Sequence, residues 1–577
     1  MVFWKMRYQV LICDYDGTLA QGSSVAESTI ASLEDILSSG RKLLMATGRQ
    51  LEELLAIFPR SDLFERIIVE NGAVLYAPRT QRTQMLAEPP PQKVFKEFVG
   101  RGISPIATGK VIISTRQPHE AAAVEIIRDL GLDLQVVFNK GAVMILPQGV
   151  NKATGILAAL RELGISIHNA IGIGDAENDH SFLSRCECSA AVANALEAVR
   201  ERVDVTMTRH HGRGVEELIG KLLATDLVEI DGRLARHHLL LGTTGSGAEV
   251  RISPFGSSVL IAGPSGSGKS SVVTAVLERL ARSDYQFCVI DPEGDYQMLQ
   301  HAVVVGDAKS VPSIDGIIQL LSQFSNPVVN LLGVPLSDRP AFGELLLEKI
   351  VELQSRTGHP HWIVLDEAHH LLPASFRRGA PPSLGMSSSI LITVHPNQVR
   401  PEVLAGINLA IAVGASPDQT LIEFSKQASL PKPTLSGKDL GGTRVHVWRC
   451  RDSTDAFAVR VEPSEIEGRR HKRKYAEGDI KEKSFHFRGP KEKLNLRAQN
   501  LITFVQLAEG VDDETWLFHL RRSEYSHWIK SAIKDDDLAR RVAAVERANI
   551  PASESRAQIK EAIEDLYTDS SQHNATA

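Results

Sequence analysis

The stretch Tyr8-Gln9-Val10-Leu11-Ile12-Cys13-Asp14-Tyr15-Asp16-Gly17-Thr18 decides how the first part of the chain is read. Its apolar run reads as a buried strand, and in an open α/β sheet the chemistry gathers beyond the carboxyl ends of the strands. That places Asp14 and Asp16 where a site is expected. An aspartate can attack phosphorus and form an aspartyl-phosphate, provided a Mg²⁺ neutralises both the carboxylate and the incoming phosphate. A second carboxyl two residues on can handle the proton of the leaving group. Gly17 permits a tight turn near the phosphate, and the Thr18 hydroxyl is expected to bond neighbouring backbone. Taken alone, Asp14-Tyr15-Asp16-Gly17-Thr18 also reads as a plain polar turn after a strand.

Further along, Lys42-Leu43-Leu44-Met45-Ala46 reads as a second strand that delivers Thr47-Gly48-Arg49 to a loop. A hydroxyl, a bare backbone N–H and a guanidinium all suit phosphate. Ile67-Ile68-Val69 runs into the turn Glu70-Asn71-Gly72-Ala73. From about residue 80 to 150 the pattern changes, with a break at Pro89-Pro90-Pro91 and mixed strand and helix signals, as an inserted cap would give. Asn151-Lys152 then opens a helix to Leu163, and a lysine there completes the charge neutralisation of a transferring phosphoryl group. Ala170-Ile171-Gly172-Ile173 leads into Gly174-Asp175-Ala176-Glu177-Asn178-Asp179. Three carboxylates crowded in one loop call for a cation, and a hard, oxygen-liganded Mg²⁺ is the natural occupant.

These stretches, in this order, resemble the four motifs of haloacid dehalogenase superfamily phosphatases of the Cof or type IIB kind, which include sucrose-phosphate phosphatases. The resemblance covers residues 6 to 220, and Glu70-Asn71-Gly72-Ala73 and Ala191-Val192-Ala193-Asn194-Ala195 fit the same family habit. It implies Asp14 as nucleophile, Asp16 as general acid/base, Lys152 as charge clamp, and Thr47, with Gly48, Arg49 and Asn71, as phosphate ligands. Mg²⁺ is implied on Asp14, the Asp16 backbone carbonyl and Asp175, supported by Asn178 and Asp179. The pair His210-His211 has no third ligand nearby and reads as surface or core rather than as a metal site.

A second set of motifs follows. The strand Ser258-Val259-Leu260-Ile261-Ala262 precedes Gly263-Pro264-Ser265-Gly266-Ser267-Gly268-Lys269-Ser270, and a helix continues from Ser271. This is a Walker A pattern in its strand-loop-helix context. Backbone N–H groups and the helix amino end would cradle phosphates, Lys269 would reach the β and γ groups, and Ser270 would ligate Mg²⁺. The partner is His361-Trp362-Ile363-Val364-Leu365-Asp366-Glu367, where Asp366 suits Mg²⁺ through water and Glu367 suits polarising the attacking water. With Asp291-Pro292-Glu293-Gly294-Asp295-Tyr296 and the strand Ile390-Leu391-Ile392-Thr393-Val394-His395-Pro396, these resemble the HerA and FtsK group of P-loop ATPases over residues 240 to 425. The resemblance implies bound ATP with Mg²⁺ and the fold of a motor that is commonly hexameric. His395 stands where that group more usually has glutamine. Arg377, Arg378 and Arg400 are candidates for a trans-acting arginine, against the simpler reading of solvated surface arginines.

The chain has 577 residues, enough for about three or four domains at roughly 100 to 200 residues each. Its 43% hydrophobic and 23% charged residues describe a globular protein, and a net charge of −6 leaves any nucleic-acid contact to local basic patches. The cysteines (Cys13, Cys186, Cys188, Cys288 and Cys450) form no Cys-x-x-Cys pair, which fits a reducing cytoplasm. No signal-peptide pattern and no run of ~18 apolar residues is found.

Arg469-Arg470-His471-Lys472-Arg473-Lys474 lies in a charged linker that solvates readily, with a phosphate-backbone contact as the alternative. Beyond it, Leu494, Leu501, Phe504, Val505 and Leu507 fall near helical spacing, and Asp512-Asp513-Glu514 reads as a helix start. Trp516, Tyr525 and Trp528 read as anchors of a small core, with base stacking the alternative. The residues from about Thr568 read as disordered.

The expectation is an α/β protein: a haloacid dehalogenase-type Rossmann-like core with an inserted α/β cap (1–225, cap about 80–150), then a P-loop α/β domain (226–465). A basic linker (466–483) and a small helical module (484–577) follow. The expected function is a cytoplasmic, Mg²⁺-dependent phosphatase of a small phosphorylated substrate, coupled to an ATP-binding and ATP-hydrolysing domain. The alternative is a homo-oligomeric ATPase acting on DNA, with an accessory phosphatase. No membrane partner is expected.

Overall fold

Apolar runs that end in polar loops give strands buried on both faces, and such strands assemble in parallel with helices covering each side. In the computed structural model, which describes residues 6–139, 141–375, 388–436, 444–464, 484–533, 535–548 and 550–567, two sheets of this kind carry the two sets of motifs. The chain divides into two compact units, Met1–Glu462 and Pro463–Ala577.

In the first unit, β1 (Val10–Asp14), β2 (Lys42–Ala46) and β3 (Arg66–Val69) continue into β4 (Val74–Ala77) and β5 (Arg82–Met85). A second small sheet follows, made of β6 (Ala107–Thr108), β7 (Ile113–Arg116), β8 (Leu134–Asn139) and β9 (Ala142–Pro147) in the order β6-β7-β9-β8. With helices Gln92–Gly100 and Glu120–Asp129 it forms the inserted cap, which has its own core around Val94, Phe98, Ile126 and Val143. The first sheet resumes with β10 (Ala170–Gly174), β11 (Cys188–Ala191) and β12 (Val205–Thr206), giving the order β12-β11-β10-β1-β2-β3-β4-β5. It is parallel from β12 to β3.

The larger sheet is built from β13 (Leu239–Thr244), β14 (Glu249–Ile252), β15 (Ser258–Ala262), β16 (Phe287–Asp291), β17 (Val303–Val305), β18 (Pro327–Asn330), β19 (Trp362–Leu365), β20 (Ser388–Thr393), β21 (Leu409–Val413), β22 (Thr434–Ser436), β23 (Arg444–Arg449) and β24 (Asp455–Val461). Its parallel part runs β21-β15-β20-β19-β16-β18-β17, and β23, β24, β13 and β14 extend it antiparallel beyond β21. Apolar side chains fill both faces, with Leu260, Ile290 and Leu365 on one and Val259, Val289 and Val364 on the other.

The two sheets abut at the amino ends of their strands. Glu187, which precedes β11, is fully buried, and its Oε1 accepts from Arg7 Nη2 at 2.7 Å. Its Oε2 accepts from the Tyr285 hydroxyl at 2.7 Å and pairs with His168 Nδ1 at 2.9 Å. Arg7 and His168 precede β1 and β10, whereas Tyr285 precedes β16 of the other sheet. The Arg7 guanidinium also lies 4.1 Å from the centre of the Phe255 ring, a cation–π contact to the segment before β15. Asn169, at the start of β10, pairs with His361 at the start of β19, and His359 with the Gly164 carbonyl. Strands of four or five residues span only about 13–17 Å, so both sheets are crossed in one pass from this junction to their carboxyl ends. The two catalytic edges therefore face away from each other.

In the second unit a hairpin of β25 (Phe485–Phe487) and β26 (Leu496–Ala498) precedes the helices Leu501–Gly510, Asp513–Arg521, Glu524–Trp528, Asp536–Arg547 and Ala552–Tyr567. Leu494 therefore sits in the hairpin loop and not on the helix with Leu501, because the helix begins only at the Asn500 cap, whose side chain accepts from Thr503 N–H. Asp512 caps the next helix in the same way. Trp516, Tyr525 and Trp528 are buried, with Trp516 and Tyr525 stacked at 4.5 Å and the Trp516 indole donating to Ser555 Oγ. Rings enclosed in this way offer no platform to a base. The basic run 469–474, the rest of 466–483 and the residues from Thr568 lie outside the described residues. No helix among the described residues is long and apolar enough to cross a membrane.

Burial alone would raise the Glu187 pKa, but His168, Arg7 and His237 outweigh it and hold the carboxyl below its ordinary value of 4.5. A depressed carboxyl contributes stability above that ordinary value and loses it as pH falls toward the folded value. Removing it takes a buried partner from Arg7, which keeps the half-exposed Asp231, and leaves His168 and the Tyr285 hydroxyl without their shared acceptor. Thermal unfolding of Glu187→Ala should show a lowered midpoint at pH 7, with the gap to wild type narrowing below pH 4.5. An unchanged midpoint at pH 7 would remove Glu187 as the junction's anchor.

Candidate active sites

At the first catalytic edge, β1 ends in Asp14 and helix Lys152–Leu163 starts beside it. That start is set locally, since the Asn151 side chain accepts from Thr154 N–H while the Thr154 hydroxyl accepts from Asn151 N–H. The buried Lys152 ammonium thereby reaches Asp14 Oδ1 and Asp179 Oδ1, both at 2.6 Å. The second oxygen of Asp179 accepts the Asp175 and Ala176 N–H groups, each at 2.9 Å, and so shapes the loop after β10. Thr18 donates to Asp175 Oδ1 at 3.3 Å, not to neighbouring backbone as its position in the sequence suggested, because the loops after β1 and β10 lie side by side.

Carboxylate oxygens of Asp14, Asp175 and Asp179 lie within 4.8 Å of one another, against the single ammonium of Lys152. Burial and the charge of Asp179 push the Asp14 carboxyl up to about 8, against the opposing pull of Lys152. Burial would lower the Lys152 pKa, but Asp14 and Asp179 overcome it and raise the value. Asn178 Oδ1, in the same loop, is buried and lacks a hydrogen-bond donor, while its Nδ2 donates to Asn71 Oδ1 at 3.1 Å. An excess of buried acid with an unused amide oxygen beside it fits a hard divalent cation.

Asp16 is half-exposed and held by Arg49, whose Nε and Nη2 donate to its two oxygens at 2.7 Å each. Arg49 also pairs with Glu53. Thr47 is buried, and its hydroxyl accepts the Arg49 N–H at 3.1 Å. Asn194 Nδ2 and His211 Nδ1 both donate to the Gly17 carbonyl, at 2.8 and 2.9 Å. His211, half-buried, thereby braces the loop after β1 from the start of helix His211–Thr225. Its sequence neighbours carried no sign of this, because the contact spans the whole domain. A cavity of about 380 Å³ opens over the site, lined by Asp14, Asp16, Gly48, Arg49 and Glu53 from the core and by Ile112, Ser114, Arg116 and Met144 from the cap.

At the opposite edge, β15 runs into the phosphate-type loop, and Gly263 lies at a φ of +159° where an added Cβ would come within 2.0 Å of the Val413 carbonyl. Lys269 Nζ donates to the Gly263 and Pro264 carbonyls at 3.1 Å each. Gly266, Gly268, Ser265, Ser270 and Ser271 surround it on the loop and at the start of helix Lys269–Arg282. Because β20 lies between β15 and β19, its end at Thr393 and His395 falls between Lys269 and the acidic pair Asp366-Glu367. Burial, Glu367 and Asp291 push the Asp366 carboxyl up to about 8. Glu367 Oε2 is buried and accepts no hydrogen bond, and His369, 3.3 Å away, is lowered to about 4 by burial and by His370, so it brings no charge. Uncompensated acid opposite a lysine fits a nucleotide with its divalent ion. Asp291 receives the N–H groups of Glu293, Gly294, Asp295 and Tyr296, which accounts for its place in that motif as a loop former.

Arg400 departs from both readings offered by the sequence. It is 4% exposed and its Nη2 pairs with Glu344 at 2.5 Å, so it is neither a solvated surface arginine nor presented to another subunit. Arg377 and Arg378 lie outside the described residues.

The family model described as haloacid dehalogenase-like hydrolase matches residues 11–100 and 104–219, and the one described as Helicase HerA, central domain, matches residues 249–335. A phosphoglycolate phosphatase of Methanothermobacter thermautotrophicus is 25% identical over 225 residues, which are 37% of this chain and 99% of its own. One from Halorubrum lacusprofundi is 27% identical over 222 residues, 37% of this chain and 96% of its own. A solved haloacid dehalogenase-like hydrolase from Bacteroides thetaiotaomicron aligns with 37% of this chain and 99% of its own, at 18% identity and a TM-score of 0.33. Residues 11–219 are a haloacid dehalogenase-like hydrolase domain, and the same chain carries a HerA-like domain over residues 249–335.

Proposed function

We propose that the first catalytic edge hydrolyses a small phosphomonoester with Mg²⁺, and that the second binds and hydrolyses ATP. The observation that carries the first reading is the buried Lys152 ammonium shared by Asp14 and Asp179, with Asp175 beside them. Asp14 attacks phosphorus through a carboxylate oxygen, and the bond from phosphorus to the leaving oxygen breaks. Asp16, aimed by Arg49, gives that oxygen a proton. It then takes a proton from water, which attacks the aspartyl-phosphate, frees inorganic phosphate and restores Asp14. Thr47, Gly48 and Asn71 hold the phosphoryl oxygens, Arg49 stays on Asp16, and Lys152 offsets the phosphoryl charge. Asp14, the Asp16 carbonyl and Asp175, with Asn178 and Asp179 behind them, would hold Mg²⁺, which would supply charge neutralisation of nucleophile and phosphate.

The relatives named as phosphoglycolate phosphatases make phosphoglycolate the first substrate to test, and the 380 Å³ cavity suits a small molecule. The ATP site would serve to regulate or be coupled to that reaction. Since the two edges face apart, coupling would travel through the strands that meet at Glu187, and no substrate passes directly between the sites. A second reading, an oligomeric ATPase acting on DNA, draws on the match over residues 249–335.

Phosphate release from phosphoglycolate, sugar phosphates, nucleotides and end-phosphorylated oligonucleotides should show turnover of a small phosphomonoester that requires Mg²⁺. Asp14→Asn should abolish it and leave ATP hydrolysis within about twofold, whereas Lys269→Ala should do the reverse. Lys152→Ala should lower kcat by about 10²–10³, in the range of losing one preorganised charge partner. Activity confined to oligonucleotide ends, with ATP hydrolysis stimulated by DNA and the chain assembling with ATP, would favour the second reading.

A further inference from the structure

Three consecutive residues at the end of β3, Glu70, Asn71 and Gly72, have φ of +52°, +55° and +109°. Left-handed backbone at two non-glycine residues in a row is costly and persists only where its surroundings impose it. Here each residue is engaged with a different part of the site. The Glu70 and Asn71 N–H groups donate to the carbonyls of Arg49 and Thr47 in the phosphate loop, at 2.9 and 3.0 Å. The Asn71 side chain meets Asn178 of the acidic loop. Gly72 is pressed on the start of the Lys152 helix, where an added Cβ would lie 1.9 Å from the Asn151 carbonyl.

The Glu70 side chain reaches the other way, into the cap. It is fully buried, and its Oε1 accepts from Lys110 N–H at 2.8 Å while its Oε2 accepts from Val111 and Ile112 N–H at 2.8 and 2.9 Å. Charge-assisted bonds to three successive backbone donors fix a segment in position as well as in direction. The segment ends where β7 begins, and Ile112, Ser114, Thr115 and Arg116 line the cavity over Asp14. Gly109 leaves the room for this grip, since a Cβ there would come within 2.5 Å of the Glu70 carboxylate.

We infer that Glu70 is a positioning residue that clamps the cap strand to the catalytic loop, so that Ser114 and Arg116 are held at a set height above the nucleophile. The inference rests on the phosphatase reading of that site. It makes Glu70 a determinant of which substrates are accepted: those whose far end reaches the cap, as a carboxylate reaching Arg116 would, depend on the clamp. Those without such a group do not.

The test uses the full chain and two variants that loosen the clamp from opposite sides, Glu70→Gln and Gly109→Ala. Each should raise KM for phosphoglycolate by about tenfold, the scale of a lost charge-assisted hydrogen bond, with KM and kcat for p-nitrophenyl phosphate within about twofold of wild type. Hydrogen exchange at the amides of residues 110–112 should quicken in both variants while that of β1 and β10 is unchanged. Equal loss of kcat on both substrates, or unchanged exchange at 110–112, would overturn the inference. Should the wild type turn over neither ester, the phosphatase reading fails, and the exchange at 110–112 still decides the clamp.

Discussion

One buried carboxylate, Glu187, holds residues that precede strands of both catalytic sheets. A buried charge of this kind is tolerated when it is paired and hydrogen-bonded, and here Arg7 serves one oxygen while His168 and Tyr285 serve the other. The consequence is directional. Parallel strands present loops of one kind at each end, so two parallel sheets joined at their amino ends expose their catalytic loops on opposite sides. The arrangement keeps the phosphate chemistries of the two domains apart while joining their scaffolds through Asn169, His361 and the strands they begin.

Both catalytic edges use the same electrostatic device. At each, acidic side chains gather around one lysine in a poorly solvated place, and the acids are pushed toward their neutral forms, Asp14 at one edge and Asp366 at the other. That state is unfavourable by itself and becomes favourable when a cation and a phosphate arrive together. The difference lies in what closes the site. The first edge has a cap whose segment leading into strand β7 is held by Glu70, whereas the second has the end of β20, with Thr393 and His395, between its lysine and its acids.

Much of this was legible along the chain. The strands ending at Asp14, Ala46, Gly174 and Ala262 and the helix opening at Lys152 announce themselves through apolar runs and caps, which depend on neighbours within a few residues. Thr18, Arg400 and Leu494 were misjudged, and the contact of His211 went unseen, for one shared reason: the partner that decides each is fixed by topology. Asp175 lies beside Thr18 because β1 pairs with β10, the Gly17 carbonyl meets His211 across the domain, and Glu344 meets Arg400 from another helix. Leu494 looked helical by spacing alone, but a hairpin intervenes before the helix cap.

The sequence by itself determined the two sets of motifs and their order, because each set consists of particular residues at short spacings. Only the tertiary structure decided that the two edges face apart, that Glu70 spans from core to cap, and that Arg49 is spent on Asp16. These rest on contacts between residues tens to hundreds of positions apart. Such contacts are set by strand order and by the burial of charge, neither of which leaves a periodic trace along the chain.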